Sequence, residues 1–163
     1  MDGDEMVYPL AFGVGDGESE DGWTWFLRQM REAFGVPNDL VIISDQHKSI
    51  SKAMEFVYPG VPHGICIYHL KQNLKKHCRG RQDILDLCGK AAYAYQCNIC
   101  DAALDQIKNV KPRAYNMLME AGINRWARAY MPGRRYQLMT TNIAEALNNC
   151  IKRARFFLFR YYG

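Results

Sequence analysis

The sequence has no apolar run of the roughly 18 residues that a membrane-spanning helix needs, so no membrane partner is expected. Low-complexity segments, internal repeats and Gly/Ser-rich linkers are also absent, which argues against a repeat array. The first residues, MDGDEMVYPL, are acidic and lack the basic-then-apolar order of a secretory signal. We therefore expect an intracellular chain of 163 residues, whose six cysteines are thiols or metal ligands rather than disulfides.

Basic residues are scarce in the first part of the chain. Residues 1–70 hold 4 Lys/Arg and 11 Asp/Glu, a balance of −7, whereas residues 71–163 hold 17 and 6, a balance of +11. The two balances add up to the net charge of +4. The basic part suits a polyanionic partner and the acidic part suits cation-binding carboxylates. A solvated helical surface explains the basic part equally well.

Strand and helix patterns alternate up to residue 70, and helical patterns dominate afterwards. This order predicts an α/β core with a helical addition. The predicted elements are a strand at Val7–Val14, a helix at Trp23–Phe34 capped by Asp21 and ended by Gly35, a strand at Leu40–Ser44, a helix at Ser49–Val57, a strand at Gly64–Leu70, helices up to about Tyr130, and a helix at Thr141–Arg155.

Asp45 follows directly after the apolar run of the second predicted strand, LVIIS. Open α/β sheets place their sites at the carboxyl ends of strands, so Asp45 is a candidate metal-binding carboxylate. Asp is also a favoured N-cap, and capping the helix that follows is the alternative. The sequence alone leaves both interpretations open.

Two cysteine-containing pairs have the spacing of metal ligands. Cys66 and His69 form C-x-x-H, and Cys97 and Cys100 form C-x-x-C further along the chain. Together they could donate four zinc ligands. We do not expect zinc, because CNIC lies within a helical pattern and lacks the loop setting of structural zinc sites. Cys78, Cys88 and Cys150 are interpreted as buried thiols.

Glu145 is the acidic residue of the segment TTNIAEALNN. On a helix its neighbours at i−4, i+3 and i+4 are Thr141, Asn148 and Asn149, which form a polar strip on an otherwise apolar helix. Asn148 could hydrogen-bond the carboxylate or face a ligand. A solvated surface glutamate is the alternative.

The run NRWARAYMPGRRY, residues 124–136, interleaves basic and aromatic side chains. Arginine binds phosphates and aromatic rings stack on bases, so contact with nucleic acid is one interpretation. Packing of the aromatic rings between helices, with exposed arginines, is the other. The residues concerned are Arg125, Arg128, Arg134 and Arg135, with Trp126, Tyr130 and Tyr136.

Three segments together resemble the transposase domain of plant Mutator-like elements (MULE). They are VYPLAFGVGDGESEDGWTWFL, LVIISDQHKSISKAMEFVYPGVPHGICIYHLKQNL and RWARAYMPGRRYQLMTTNIAEALNNCIKRAR. The resemblance extends from about Asp2 to Arg155, and the order of the motifs is specific.

The resemblance implies a ribonuclease-H-like fold with three catalytic acids of the DDE type. Asp45 would be the second acid and Glu145 the third, both as metal ligands, with Cys66, His69 and Asn148 near the site. Mg²⁺ (or Mn²⁺) would serve cut-and-paste DNA transposition, by phosphodiester hydrolysis followed by strand transfer. The DNA-binding residues expected in the basic part are Lys71, Lys75, Lys76, Arg125, Arg128, Arg134 and Arg135.

The family's first acid lies on a strand upstream of the point where this sequence starts. The resemblance therefore implies a partial core without its first strand at residues 1–70, a basic helical insertion at 71–140, and a final core helix with a truncated tail at 141–163. On this basis we expect the chain alone to be catalytically inactive. DNA, other transposase subunits and a nuclear location are implied in the same way.

Two alternatives to a transposase fragment remain open. One is a domesticated DNA-binding or transcription-regulating protein, since plant regulators of the far-red-impaired-response type share this domain ancestry. The other is a non-functional product of a decaying element. Retention of His69 and Glu145 favours the transposase.

Overall fold

In the computed structural model of the chain, the described residues are 8–15, 17–78, 80–132, 139 and 141. Their elements are α1 (Glu20–Phe34), β1 (Ile42–Ser44), α2 (Lys48–Val57), β2 (His63–Ile65), α3 (Ile67–His77), α4 (Gln82–Tyr93), α5 (Cys97–Val110), α6 (Pro112–Glu120), α7 (Ile123–Trp126) and a 3-10 helix at Arg128–Tyr130. This part of the chain is mostly helical with one small sheet, which confirms the predicted α/β class. None of its helices is long and apolar enough to cross a membrane.

Helix α1 is bounded by two local signals. The Ser19 hydroxyl accepts a hydrogen bond from the Gly22 backbone N–H at 3.0 Å and so caps the first turn. The prediction of Asp21 as N-cap is wrong: Asp21 lies inside the first turn, where its negative charge stabilises the helix N-terminus. The helix ends at Gly35, as predicted, with a φ of 70° that favours glycine.

The two strands form a parallel pair in which Ile42 is opposite His63 and Ser44 is opposite Ile65. Helix α2 connects them, so β1, α2 and β2 form a βαβ unit. The predicted strand at 40–44 is confirmed over its last three residues and the predicted helix at 49–57 is confirmed, with one more residue at its start. Because the strands are parallel, their carboxyl ends lie at one edge of the sheet, here called the carboxyl edge (Asp45 and Cys66).

The strand predicted at Gly64–Leu70 is wrong from residue 67 onward. Helix α3 begins at Ile67 and buries Ile67, Leu70 and Leu74, which share one face of a helix. The β-branched residues Ile65 and Ile67 made the run look like one strand. They belong to different elements, and the chain changes direction between them at Cys66.

The strand predicted at Val7–Val14 is wrong for residues 8–14, which are exposed and have no regular secondary structure. A strand is stabilised by hydrogen bonds to a neighbouring strand. Within the described ranges, the pairing of β1 with β2 is the sheet that forms, and the N-terminal segment takes no part in it. Pro9 also lacks an N–H to donate.

Buried apolar residues form two clusters. The small cluster lies between α1 and α2 and contains Leu27, Ile50, Ala53, Met54, Val57 and Tyr58. The large cluster joins β2 with helices α3 to α7 and includes the fully buried Ile84, Ile107, Leu118, Trp126 and Met139. Trp126 also donates its indole N–H to the Leu118 carbonyl at 2.9 Å, so its one polar group is satisfied.

Candidate active site

The carboxyl edge of the sheet brings two of the predicted site residues next to each other. Asp45 follows β1 and Cys66 follows β2, and the Cys66 backbone N–H donates to the Ser44 carbonyl at 2.7 Å. This hydrogen bond continues the parallel ladder one step beyond Ile65. Asp45 and Cys66 are therefore fixed by the backbone of the sheet, which is the placement that the sequence predicts for a site in an α/β protein.

Asp45 is half-buried at this edge. Its Oδ1 accepts a hydrogen bond from the His47 backbone N–H at 3.2 Å, which closes the turn between β1 and α2. The N-cap of α2 is His47, which makes no side-chain capping bond. The interpretation of Asp45 as the N-cap is therefore wrong, and its carboxylate lies one turn before the helix.

Cys66 connects the sheet to the segment that leads towards Glu145. The thiol is completely buried, and its Sγ accepts a hydrogen bond from the Thr141 backbone N–H at 3.2 Å. Two residues earlier, the Met139 carbonyl accepts from the Ile67 N–H at 2.9 Å. Residues 139 and 141 therefore lie against the carboxyl edge, and Thr141 is four residues before Glu145 in the sequence.

The other predicted site residues are His69, Glu145 and Asn148. His69 lies in the first turn of α3, half-buried, with its ring against the edge of Tyr68 at a centroid distance of 5.6 Å. The predictions for Glu145 and Asn148 fall outside the described residues.

A half-buried polar network behind the carboxyl edge involves His63, for which the sequence predicts no role. The Arg125 guanidinium donates to His63 Nδ1 at 3.2 Å and to the Ser51 hydroxyl at 3.1 Å. His63 Nε2 lies 2.8 Å from Ser44 Oγ, and that hydroxyl donates to the Asp45 carbonyl at 2.8 Å. With Nδ1 as acceptor, Nε2 carries the proton and donates to Ser44. The network therefore ties the backbone of Asp45 to α7.

Burial and, to a lesser extent, the nearby Arg125 cation together lower the pKa of His63 from 6.5 to about 4. His63 is therefore neutral at pH 7, as its acceptor role at Nδ1 requires. No sequence signal distinguishes it, because a histidine at the start of a short strand has no recognisable spacing to Ser44 or Arg125.

The predicted DNA-binding residues differ in their surroundings. Lys75 and Lys76 are exposed on the last turns of α3, whereas Lys71 is half-buried beside Gly89 of α4. Arg125 is engaged in the network described above. Their DNA contacts stay predictions, and those of Arg134 and Arg135 concern positions outside the described residues.

Arg128 lies over two tyrosine rings. Its guanidinium carbon is 4.5 Å from the Tyr95 ring centroid and 5.8 Å from that of Tyr93. Tyr95 is 77% exposed, so this stacked pair lies at the surface. Such an arrangement allows either packing or stacking with a base, the two alternatives that the sequence left open.

The cysteines of the described residues behave mostly as core groups. Cys78 and Cys88 are buried, as predicted, and burial raises the pKa of the Cys88 thiol to about 12. The prediction for Cys150 lies outside the described residues. Cys97 lies in α5 and donates to the Ala129 carbonyl, away from the carboxyl edge. In the part of the chain that the structure describes, no three His, Cys, Asp or Glu side chains are grouped to hold a metal ion.

One family model and three curated relatives match parts of this chain. Residues 1–73 match the model of the MULE transposase domain. Two curated relatives, each a transposase for insertion sequence element IS256 in transposon Tn4001, come from Staphylococcus aureus and Enterococcus faecalis. Each is 32% identical to this chain over 73 residues, which are 45% of this chain and 18% of the relative.

A third relative is a PKS-NRPS hybrid synthetase, cheA of Chaetomium globosum. It is 27% identical over 66 residues, which are 39% of this chain and 1% of that protein. So small a share of the relative says nothing about a shared activity. The family match and the two bacterial relatives confirm the resemblance to a MULE transposase domain, while the plant origin stays a prediction.

Proposed function

Since residues 1–73 match the MULE transposase domain, we propose that this chain carries part of the catalytic face of a DNA transposase with a ribonuclease-H-like core. The observation that carries the proposal is the carboxyl edge. Asp45 directly follows β1 within the matched segment. Thr141, which is four residues before Glu145 in the sequence, lies against Cys66 at the end of the neighbouring strand. Two acids far apart in sequence would meet there. The expected location is the nucleus.

The donor chemistry at this edge fits a hard divalent cation. Asp45 offers carboxylate oxygen at a half-exposed position, and Mg²⁺ or Mn²⁺ is usually held by one or two carboxylates with waters completing the shell. Asp45 and Glu145 would hold the metal. When bound, such ions activate the attacking oxygen and stabilise the leaving oxygen of a phosphodiester. The half-buried network from Arg125 to Ser44 would keep the Asp45 backbone in place.

Since the chain alone is proposed to be inactive, the test is Mn²⁺-dependent nicking of labelled DNA by a longer form that carries all three catalytic acids, and by the same form with Asp45→Asn or Glu145→Gln. We expect each substitution to lower the nicking rate at least about a hundredfold, because each removes a ligand that stabilises the transition state. Asp39→Asn, at an exposed aspartate before β1, is the matched control and should act like the unaltered longer form.

Nicking that survives both substitutions would contradict the assignment of Asp45 and Glu145. Absence of nicking in every sample, together with salt-sensitive DNA binding that both substitutions leave unchanged, would favour the alternative of a transposase-derived DNA-binding protein.

A further inference from the structure

A cleft of about 330 Å³ opens beside the carboxyl edge, between the first turns of α2 and the end of α6 with α7. One wall starts at Gln46, the residue after Asp45. A cleft of this size accommodates a group as large as a nucleotide. The side chains that matter for its chemistry are Gln46, Lys48, Ser51, Lys52, Glu120 and Arg125.

Helix α2 presents three of these residues on one face. Lys48, Ser51 and Lys52 are spaced i, i+3 and i+4, so they line the same side of the first two turns. The first turn of α2 contains no acidic residue, and its N-cap makes no side-chain capping bond. The partial positive charge of the helix N-terminus adds to that of the two lysines, and Asp45, which accepts from the His47 N–H, offsets part of it.

The opposite wall contributes a cation in a fixed position. Arg125 is half-buried, and its hydrogen bonds to Ser51 and His63 set the direction of the guanidinium. Because Arg125 is half-buried, its charge is partly removed from water, and this burial lowers its pKa. An anion that reaches this wall meets a charge less screened than a surface lysine.

The charges that oppose an anion are few and exposed. Among the lining residues, Lys48, Lys52 and Arg125 are cations and Glu120 is an anion, while Glu55 also acts on Arg125 from outside the lining. Lys52 forms an ion pair with Glu20 at 2.9 Å, but both side chains are more than half exposed. Exposed pairs of this kind are weak, because water screens the two charges, and they yield readily to a competing anion.

We propose that this cleft binds a backbone phosphate of the DNA strand whose scissile bond lies at Asp45, with Lys48 and Lys52 as its mobile cations and Arg125 as its fixed one. The inference rests on the proposed function, since it names where the substrate strand is held. Lys48 and Lys52 lie in the acidic first 70 residues, outside the basic segment in which the sequence predicts DNA contacts.

The test measures binding of a labelled single-stranded oligonucleotide by fluorescence anisotropy at several salt concentrations. The variant is Lys48→Gln with Lys52→Gln, and the control is Lys90→Gln with Lys108→Gln, which removes the same charge from exposed positions on α4 and α5. All four lysines are exposed, so neither variant is expected to unfold. If the two lysines touch phosphates, the slope of log K against log salt should fall by about 1.4 in magnitude, while the control slope stays unchanged.

Three outcomes distinguish the proposal for the cleft from the proposed function of the chain. Equal slopes and affinities for the variant and the control, with DNA binding intact in the unaltered chain, would overturn the cleft and leave the proposed function standing. Absence of DNA binding in the unaltered chain would overturn both. Direct binding of inorganic pyrophosphate that depends on Lys48 and Lys52, without any DNA binding, would assign the cleft to small phosphates and overturn its role in holding a strand.

Discussion

The small cluster and the large cluster differ in how many apolar side chains they bury. Among the described residues, the small cluster buries six side chains between α1 and α2, whereas the large cluster buries 21 across β2 and α3 to α7. Large apolar side chains next to the small cluster are also exposed: Trp25 is 57% and Phe56 is 65% accessible. Asp45 follows β1, whose Ile42 packs against the small cluster, and the fully buried Cys66 follows β2, whose Ile65 belongs to the large cluster.

The contrast indicates how the carboxyl edge is built. Its backbone is fixed from the densely packed side, through Ile65, Cys66 and the chain at Met139. Asp45 and the α2 wall of the cleft lie on the side of the small cluster, which buries fewer side chains, and such regions open at lower free energy than the core. The site that we propose to bind DNA would be accessible on that side.

The largest expected effect comes from breaking the large cluster. Replacing Trp126 with alanine removes a completely buried side chain and the hydrogen bond to the Leu118 carbonyl. We expect the free energy of unfolding to fall by about 3–5 kcal/mol. Trp25→Ala, at an exposed position on α1, is the matched control and should change it by about 0.5 kcal/mol or less. Urea denaturation followed by circular dichroism measures both free energies of unfolding. Similar losses for the two variants would mean that the large cluster does not stabilise the fold more than the exposed surface of α1 does.

An effect of intermediate size is expected from His63, which joins the two sides. Its pKa is lowered to about 4 in the fold, below the usual 6.5, so the unfolded chain takes up a proton more readily. The stability that neutral His63 contributes is complete above pH 6.5 and is lost as the pH falls towards 4. With allowance for partial exposure, the loss is on the order of 2 kcal/mol.

His63→Gln removes this titration while keeping one donor and one acceptor. The groups that face His63 are Ser44, which does not titrate in this range, and Arg125, which stays charged throughout. Denaturation at a series of pH values between 4 and 7.5 should give a shallower dependence for the variant than for the unaltered chain. If the curves of stability against pH run parallel for the variant and the unaltered chain, His63 is not held in its neutral form by burial.

Local signals in the sequence predict the elements that depend on neighbouring residues. Gly35 as a helix end, the helix after Asp45 and the helices between residues 71 and 130 follow from periodicity and from glycine chemistry, and the structure confirms them. The position of Asp45 at a strand end follows from the apolar run before it. Predicting these features does not require knowing which distant residues pack against them.

Features that depend on distant contacts could not be predicted in this way. The change from β2 to α3 at Cys66 depends on burial of Leu70 and Leu74 against α4 to α6, and the apolar run does not reveal it. The link from Arg125 to His63 joins residues 62 positions apart. The cleft at Lys48 and Lys52 is formed by α2 and α6, which the sequence does not show to be neighbours.

The smallest expected effect tests whether the small cluster opens by itself. Ser19→Ala removes the hydroxyl that caps α1 and should cost about 1 kcal/mol, whereas Ser19→Asn keeps an accepting side chain and should cost only a few tenths. If the small cluster opens independently, amide exchange should become roughly fivefold faster in α1 and α2 and stay unchanged in α4 and α5. Faster exchange in all four helices would mean that the two clusters unfold together. Asp45 would then be held by the stability of the whole molecule, and local opening could not admit DNA to the site.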